Sequence, residues 1–436
     1  MKIFLRTYGC QMNEYDSELI ESILRADGFA FVDKEEAADI ILLNTCSVRD
    51  NAQRKIKGEI CEIRHRFKGK KSPIIGLLGC IASHEKDHLL ADKKFRADFF
   101  AGPDSYKKLP DLIRQGIKHE RPADFVLSDI ETYEEIYPKR KPGVNAWVSI
   151  MRGCNNFCSF CVVPYTRGRE RSRSSASIVD EVKKLADEGY PQVTLLGQNV
   201  NSYNYDGVDF TQLLQMVSQI KGIRRIRFMS PNPKDFPPHL IDLIAQDPKI
   251  CKHIHFPLQS GNNRILKLMN RHYTQKQFME QIKKFRKVCP QLAITTDIIV
   301  GFPTETDDEF EDTVKVMKQV EFDAAFIFKY SQREGTLASK KYPDDVSEKE
   351  KTRRIVLLNA LQKETSTQKN RELIGQIQEV LIEQKGTSKS PDDWEARTDT
   401  NKLVILPHAN IKPSMCLPVR ITAASAYILK AEHVTH

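Results

Sequence analysis

The chain has 436 residues, of which 40% are hydrophobic and 29% are charged, with a formal net charge of +9 and ten cysteines. This length allows two or three domains, each with its own core. No apolar run approaches the roughly 18 residues of a transmembrane helix, and the N-terminus lacks the apolar segment of a signal peptide. We therefore expect a cytoplasmic protein without a membrane partner, in which grouped cysteines are metal ligands or catalytic thiols.

The first hundred residues alternate strands with helices. Strands are predicted at Lys2–Thr7, Ala38–Asn44 and Pro73–Leu78, and amphipathic helices at Glu14–Ala26 and Val48–Phe67. This alternation predicts a parallel sheet covered by helices, in an N-terminal α/β domain of residues 1–118. The mixed polar segment 115–141 is interpreted as a linker and domain boundary.

A second alternation runs from Val144 to about Gln332 and predicts a complete or partial (β/α)6 barrel, so that the fold class is α/β. Its strands are predicted at Ala146–Ile150, Gln192–Leu196, Arg225–Met229, His253–Phe256, Leu292–Val300 and Ala324–Phe328. Three of its helices are predicted at Ser177–Glu188, Thr274–Val288 and Asp307–Val320, and a charged helix at Val346–Asn370 follows. The expected barrel domain covers residues 140–370.

The last part of the chain changes to short alternating strands. They are predicted at Gln376–Ile382, Trp394–Thr398, Lys402–Leu406, Leu417–Ile421 and Ala426–Leu429. Five short strands of this kind predict a small antiparallel β-barrel over residues 373–436.

One loop carries Cys154, Cys158 and Cys161, separated by three and two intervening residues. Thiolates are the usual ligands of iron–sulfur clusters, and this spacing lets one short loop hold a cubane. Three thiolates leave the fourth iron open to chelate S-adenosylmethionine and to cleave it into a radical. A zinc site is the alternative, but structural zinc needs a fourth ligand, and none follows at short range.

Three further cysteines follow the three predicted N-terminal strands, namely Cys10, Cys46 and Cys80. Loops at the carboxyl ends of parallel strands meet at one edge of the sheet, where such sheets build their sites. We therefore expect these cysteines to share a metal site. The remaining cysteines, Cys61, Cys251, Cys289 and Cys416, fit neither group and are interpreted as structural.

The loop of Cys154, with an aromatic residue before its last cysteine, resembles the radical S-adenosylmethionine superfamily, and Val162–Gly168 (VVPYTRG) resembles its methylthiotransferase family. The resemblance covers nearly the whole chain and includes a terminal TRAM-like barrel. It implies that Cys10, Cys46 and Cys80 hold a second [4Fe–4S] cluster, which presents the sulfur to be inserted. It further implies S-adenosylmethionine as cofactor, the anticodon stem-loop of tRNA as partner, and an electron donor such as flavodoxin or ferredoxin. We expect a monomer.

Polar and glycine residues end several predicted barrel strands, where a ligand can approach closely. Similar stretches contact S-adenosylmethionine in the superfamily, and the contacts predicted here are Phe160, Gln198, Asn199, Ser260 and Gly301. His253 and His255 alternate on one strand, and we expect them to be buried and hydrogen-bonded rather than metal ligands.

Arginines occupy every second position after the cysteine loop, at Arg167, Arg169, Arg171 and Arg173. An extended segment would place them on one side, which suits contacts to RNA phosphates; the alternative is a carboxylate-paired surface. Residues 373–436 carry seven Lys and Arg and seven Asp and Glu, so any RNA binding by the terminal barrel needs placed contacts and shape.

The expected activity is methylthiolation of carbon 2 of N6-isopentenyladenosine beside the anticodon, with two S-adenosylmethionine molecules and two clusters. Rival readings are the relatives that act on threonylcarbamoyl-adenosine or on a ribosomal-protein aspartate, and, in another class, a non-catalytic metal-containing RNA-binding protein. Arg152, where many relatives carry Glu, and Ser230–Pro233, a segment that often contains His, depart from the family pattern. Both are expected near the substrate mouth.

Overall fold

The structure is a computed structural model of the chain. It describes residues 1–47, 52–69, 71–91, 96–387, 390–407 and 411–434, with the backbone alone at 52–54. Within these ranges no helix combines the length and the apolar character needed to cross a bilayer.

An N-terminal α/β region is built on one parallel sheet. Its six strands within the described ranges are β1 (Lys2–Thr7), β2 (Ala30–Phe31), β3 (Ile40–Thr45), β4 (Ile74–Gly79), β5 (Phe99–Ala101) and β6 (Ala123–Asp124). They lie in the order β2-β1-β3-β4-β5-β6, and all pairs are parallel. The three predicted strands are confirmed; β2, β5 and β6 have only two or three residues, too few to reveal a hydrophobic period.

Helices cover both faces of this sheet. They are α1 (Gln11–Ala26), α2 (Ala52–Arg66), α3 (Cys80–His84), α4 (Lys86–Ala91) and α5 (Leu109–Ile117). The start of the predicted helix Val48–Phe67 lies outside the described residues, because 48–51 are not among them. All of β3 is buried, and its side chains alternate between two cores, Leu42 in the one with α1 and α5 and Leu43 in the other.

The central region is a partial barrel. Its strands and short bridging pairs are β7 (Asn145–Ser149), β8 (Met151–Arg152), β9 (Arg171–Ser172), β10 (Gln192–Leu196), β11 (Asn204–Tyr205), β12 (Val208–Asp209), β13 (Arg225–Phe228), β14 (His253–His255), β15 (Ala293–Val300) and β16 (Ala324–Lys329). Parallel strands β7, β10 and β13 meet β14, β15 and β16 at a bridge between Ile226 and Ile250. In the described part of the chain no ladder joins β7 to β16, so the barrel is open on one side. The six predicted barrel strands are confirmed.

Helices surround this barrel. They are α6 (Val163–Thr166), α7 (Ser175–Asp187), α8 (Phe210–Ser218), α9 (Leu240–Gln246), α10 (Asn263–Leu268), α11 (Gln275–Val288), α12 (Asp307–Val320), α13 (Leu337–Lys341) and α14 (Glu348–Arg371). Capping boxes at Asp209, Thr274 and Thr306 fix where α8, α11 and α12 begin, since each side chain accepts a hydrogen bond from the third helical amide.

The segment predicted as a linker is packed rather than loose. Tyr133 is fully buried, stacks on Tyr106 with the ring centroids 5.7 Å apart, and donates its hydroxyl hydrogen to the Pro103 carbonyl at 3.0 Å. Arg140 is paired with Glu18 of α1 and Glu181 of α7. The segment therefore ties the N-terminal region to the barrel, which its polar composition did not indicate.

The chain ends in a closed barrel of five strands. They are β17 (Ile377–Lys385), β18 (Trp394–Thr398), β19 (Leu403–Leu406), β20 (Cys416–Ala424) and β21 (Ile428–His433). Their order is β17-β18-β19-β21-β20, and all neighbours are antiparallel except β19 and β21. The predicted five-stranded barrel is confirmed, apart from that parallel pair.

The terminal barrel docks on the N-terminal ends of the central strands. Arg225 donates to the Arg397 carbonyl at 2.6 Å, and Arg227 donates to the carbonyls of Thr398 at 2.8 Å and Asp399 at 3.1 Å. These contacts leave the opposite end of the central barrel, where the strands finish, for the candidate site.

Candidate functional site

The loop of Cys154, Cys158 and Cys161 is fixed at the carboxyl end of β7. The Cys154 amide donates to the Gly168 carbonyl at 3.2 Å, and Ser159 donates to the Leu268 carbonyl at 2.7 Å. Gly153 has φ +78°, and a Cβ there would overlap the carbonyl group of Arg169. The loop is therefore held by the segment at Gly168 and Arg169 that follows it and by the end of α10.

The three thiols of this loop influence one another. Burial raises the pKa of Cys154 to about 11 and that of Cys161 to about 12, and in both cases the neighbouring Cys158 also raises it. Arg271 donates from Nη1 to the Cys158 sulfur at 3.2 Å. Such a buried set favours a bound cation, because iron offsets the cost of ionising the thiols.

The N-terminal cysteines also come together. Cys10 follows β1, Cys46 follows β3 and Cys80 follows β4, and these strands are neighbours in the sheet. A Cβ on Gly9 would lie 2.7 Å from the Cβ of Cys46, and one on Gly79 would lie 2.5 Å from the Thr45 carbonyl oxygen. Only glycine permits this approach of the loops.

Charge and hydrogen bonding link these three thiols. A hydrogen bond with Cys46 lowers the pKa of Cys10 to about 6, with a further contribution from the positive charge of Arg167. Burial raises the pKa of Cys80, and Arg167 again acts in the opposite direction. Arg167 follows α6, which packs against α3, the helix that begins at Cys80. The segment after the first cysteine triad therefore reaches the second.

Neither triad is arranged for a single ion. Among the described residues, no three His, Cys, Asp or Glu side chains could hold one metal ion. A cubane places its thiolate ligands on different irons, so its ligand sulfurs stand further apart than those around one ion. The donor set of each triad, three thiols, is the one that an iron–sulfur cluster takes.

The predicted exposure of the arginine series is wrong for three of its four members. Arg167, Arg171 and Arg173 are only 3%, 6% and 3% exposed. They are paired with Asp16 at 2.8 Å, with Asp104 at 3.0 Å and with Glu181, respectively. Because these carboxylates already satisfy them in the interior, they are not available to phosphates. Arg169 is exposed and lies over the Phe157 ring, 4.4 Å from its centroid.

Arg152 does not lie at an open substrate mouth either. It is 1% exposed, donates to Asp16 at 2.9 Å and to the Pro103 carbonyl at 3.1 Å, and lies over the Tyr133 ring. Its place between the N-terminal region and the barrel is structural, whatever residue relatives carry there. The second departing segment, Ser230–Pro233, is a fixed turn. Ser230 has φ +61°, and the backbone amide of Asn232 donates to the Asn201 side chain at 2.8 Å.

A cavity of about 250 Å³ adjoins the first triad. Its lining includes Ser47, Phe160, Cys161, Gln259, Asp297 and Phe328. The Gln259 side-chain oxygen is buried and has no hydrogen-bond partner within the described residues, so it is available to a ligand. The cavity joins the Cys161 loop to the loop after Cys46, and it is the place where a cofactor could lie between the two triads.

Of the five predicted cofactor contacts, Phe160 lines this cavity. Asn199 donates to Asp235 at 2.9 Å, and Gln198 has a buried side-chain oxygen without a partner among the described residues. Ser260 is fully buried, and the Gly301 amide donates to Glu305 at 2.6 Å. These four contacts stay predictions.

Sequence reasoning missed Gln259, Asp297 and Arg271. Gln259 lies three residues after the predicted strand His253–Phe256, and its φ of +66° marks a sharp turn at that strand end. Arg271 has no local motif, because it meets Cys158 only through tertiary folding. Cys251 and Cys289 are buried away from both triads, in agreement with their structural interpretation.

A second cavity, of about 670 Å³, lies where the central barrel meets the terminal barrel. Its lining includes Gln11, His253, His255, Phe326, Arg397 and Tyr427. His255 bonds to Asp297 at 3.0 Å, and both histidines bond to the Thr295 hydroxyl. The expectation that they are buried and hydrogen-bonded is confirmed, and burial lowers the pKa of His253 to about 3.

Known proteins match the chain along its whole length. Family models match residues 2–102 (uncharacterized protein family UPF0004), 148–317 (radical SAM superfamily) and 371–434 (TRAM domain). The tRNA-2-methylthio-N(6)-dimethylallyladenosine synthases of Phocaeicola vulgatus and Bacteroides thetaiotaomicron are each 44% identical to it, over 99% of this chain and 96% of the relative. The chain belongs to this synthase family. The corresponding enzyme of Prosthecochloris aestuarii is 41% identical over 97% of this chain and 96% of its own length.

Solved structures agree at the level of the fold. The radical S-adenosylmethionine methyltransferase TsrM from Kitasatospora setae has a TM-score of 0.60 at 16% identity, over 78% of this chain and 77% of that one. The cofactors of the synthase family are S-adenosylmethionine and [4Fe–4S] clusters. The two cysteine triads and the unpartnered Gln259 oxygen beside Cys161 fit these groups.

Proposed function

We propose that the protein transfers a methylthio group to carbon 2 of N6-isopentenyladenosine beside the anticodon of tRNA, using two S-adenosylmethionine molecules and two [4Fe–4S] clusters. The observation that carries this proposal is the 44% identity, over 99% of the chain, to synthases of that name. A carbon–hydrogen bond of an aromatic ring resists acid–base catalysis, so that a radical cofactor is the suitable reagent.

The proposed ligands are the two cysteine triads. Cys154, Cys158 and Cys161 would hold the cluster that binds S-adenosylmethionine, and Cys10, Cys46 and Cys80 would hold the auxiliary cluster. Support comes from the glycine-enabled convergence of the N-terminal loops and from the cavity that joins Ser47 to Cys161.

The chain's own residues have the following proposed roles around the cofactor. When bound, S-adenosylmethionine and its cluster supply the radical that removes the hydrogen from carbon 2. Phe160 would cover one side of the cofactor, and Gln259 would accept a hydrogen bond from it through the side-chain oxygen that is otherwise unpaired. Arg271 would orient the Cys158 thiolate through its hydrogen bond. The apolar lining from Ile299 and Phe328 would keep water from the radical.

Entry of the nucleotide is proposed through the open side of the barrel. Phe326 is 55% exposed and Tyr427 is 73% exposed, and both line the larger cavity, the first from β16 and the second from the terminal barrel. Exposed aromatic rings are stacking surfaces for unstacked bases. Arg169 is the remaining member of the arginine series that could meet a phosphate.

The RNA proposal is tested by single substitutions. Removing residues 373–436 would also leave Arg225 and Arg227 without their acceptors. A truncation therefore cannot separate loss of RNA binding from disturbance of the central barrel. Tyr427→Ala and Phe326→Ala avoid this problem, and we expect each to weaken binding of an anticodon stem-loop about 5- to 150-fold, from roughly 1–3 kcal/mol of stacking per base. Val356→Ala, at an exposed apolar residue of α14, is the control. Unchanged affinity in both variants would reject this path.

The proposed organisation has domains at 1–118, 140–370 and 373–436. We propose an external one-electron donor such as flavodoxin or ferredoxin, a monomeric protein and a cytoplasmic location. The family's tRNA substrate supports the location, and the one-electron cleavage of S-adenosylmethionine requires a donor of this class.

Two experiments test the function. Mass spectrometry of tRNA nucleosides from cells with and without the gene should detect loss of the 2-methylthio form and accumulation of N6-isopentenyladenosine. Anaerobic assay of the Cys154→Ala, Cys158→Ala, Cys161→Ala triple variant should yield no 5′-deoxyadenosine, whereas the reconstituted wild type yields it. An unchanged nucleoside profile contradicts the substrate, and 5′-deoxyadenosine from the triple variant contradicts the assigned ligands.

A further inference from the structure

Three buried arginines share two buried carboxylates between the N-terminal region and the barrel. Arg152, Arg167 and Arg171 are each at most 6% exposed. Their carboxylate partners are Asp16 and Asp104, whose side chains are both 0% exposed. The cluster therefore carries one positive charge more than its carboxylates balance. A buried charge without a counter-charge is costly, so the excess points to an anionic neighbour.

Within the described residues Arg167 is paired with Asp16 alone, whereas Arg152 is paired with Asp16 and also faces Asp104. Arg152 donates to Asp16 and to the Pro103 carbonyl, and its unpartnered Nε lies 3.7 Å from Asp104. Arg171 donates to both oxygens of Asp104 and to several backbone carbonyls. Arg167 uses Nη2 for Asp16 at 2.8 Å, whereas its Nη1 is buried and has no hydrogen-bond partner in the part of the chain that the structure describes.

Arg167 lies beside the elements that carry two of the N-terminal cysteines. Arg167 directly follows α6, and α6 packs against α3, whose first residue is Cys80. Asp16, which holds the other side of the guanidinium, lies in α1, and that helix begins directly after Cys10. One terminal nitrogen of the guanidinium is thus anchored by a carboxylate, and the unpartnered one belongs to a side chain between the elements that carry Cys10 and Cys80.

We propose that Arg167 is the counter-charge of the auxiliary cluster, a positioning residue that donates to its sulfur atoms and raises its reduction potential. This inference rests on the proposed function, in which Cys10, Cys46 and Cys80 hold that cluster. Thiolate-ligated clusters are anionic, and their potentials depend on net charge and on hydrogen bonds to sulfur. A buried guanidinium supplies both effects without a change of its own protonation.

Arg167 comes from the barrel region and not from the N-terminal sheet. It lies six residues after Cys161, in the segment that closes the radical-cluster loop. The barrel therefore supplies the charge for a cluster whose thiolates all come from the N-terminal sheet. The auxiliary site is complete only when both regions are docked.

The test uses the full chain with Cys154, Cys158 and Cys161 replaced by Ala, so that only the auxiliary site can hold a cluster. Arg167→Gln and Arg167→Lys are made in this parent, and Arg171→Gln is the matched control, because it removes an equally buried arginine that is bound to Asp104. Each protein is reconstituted anaerobically with iron and sulfide. Iron content, the melting temperature and the midpoint potential from an EPR-monitored titration are then measured.

We expect Arg167→Gln to make reduction of the cluster at least tenfold less favourable, which for one electron is about 59 mV toward lower potential. Arg167→Lys keeps the charge and should recover most of this shift, and Arg171→Gln should keep the parent's potential. If Arg167→Gln retains no cluster, retention of iron by Arg167→Lys and Arg171→Gln supports the same assignment. Equal potentials, or equal iron losses, in Arg167→Gln and Arg171→Gln would overturn it. A parent that binds no cluster overturns instead the proposed ligands, and with them this inference.

Discussion

Removal of the Arg227 guanidinium is expected to loosen the terminal barrel. Arg227 is 8% exposed and donates to two carbonyls of that barrel, those of Thr398 and Asp399. A hydrogen bond from a charged donor contributes about 1.5–3 kcal/mol, so Arg227→Met, which keeps the apolar stem, should cost about 3 kcal/mol of docking energy. At 1.4 kcal/mol for each factor of ten, opening of the terminal barrel becomes about 100-fold more frequent.

Hydrogen exchange followed by mass spectrometry measures this opening. Peptides covering 394–406 should exchange about 100-fold faster in Arg227→Met, while β3 of the N-terminal sheet stays unchanged. Arg353→Met is the control, since Arg353 is half exposed and its pairs with Asp307 and Glu350 are surface pairs worth about 0–1 kcal/mol. Equal exchange at 394–406 in Arg227→Met and wild type would refute the reasoning that these bonds hold the terminal barrel in place.

Three further variants test the loop of Cys154, the pair of His84 with Glu85, and the ion pairs of Asp16. In Gly153→Ala the new side chain stands at a positive φ, which costs about 1–2 kcal/mol, and it overlaps the Arg169 carbonyl. We therefore expect the Cys154 loop to lose its iron while the N-terminal cluster remains, which is measured as iron per chain. The hydrogen bond to Glu85 raises the pKa of His84, so the stabilisation is present below the ordinary histidine pKa and is lost as pH rises through the raised value. Melting temperatures of wild type and His84→Gln should therefore differ at pH 6 and converge above pH 8; a constant difference contradicts this. Asp16→Ala leaves the buried Arg167 without a carboxylate and Arg152 with Asp104 at 3.7 Å alone. It should lower the free energy of unfolding by about 3–5 kcal/mol in denaturant titrations, and a loss under 1 kcal/mol would contradict the ion pairs described.

Local patterns predicted most of the fold. Strand Gln192–Leu196 and helix Asp307–Val320 lie where the sequence placed them, because hydrophobic period and capping residues act within a few positions. The gathering of Cys10, Cys46 and Cys80 was also predictable, since neighbouring parallel strands bring their following loops together.

Partners that are distant in the sequence were not predictable. The alternation of the arginines predicted an extended segment, but only Arg171–Ser172 form a strand, and the pattern could not reveal what lies against it. Arg167 meets Asp16 across 151 positions, and Arg171 meets Asp104 across 67. The same limit applies to Tyr133, whose burial against Tyr106 turned a polar linker into part of the interior. Charge alone does not distinguish a solvated series from one neutralised by a remote carboxylate.

The long separation between Asp16 and its arginines also affects the order of events during synthesis. At about 5–20 residues per second, Arg152 leaves the ribosome roughly 7–27 s after Asp16, which it follows by 136 positions, and Arg167 leaves it roughly 8–30 s after Asp16. Until Arg152 emerges, the carboxylate of Asp16 has neither of its two arginines to meet. The ion pairs between the N-terminal region and the barrel can therefore form only after the first part of the barrel has been synthesised.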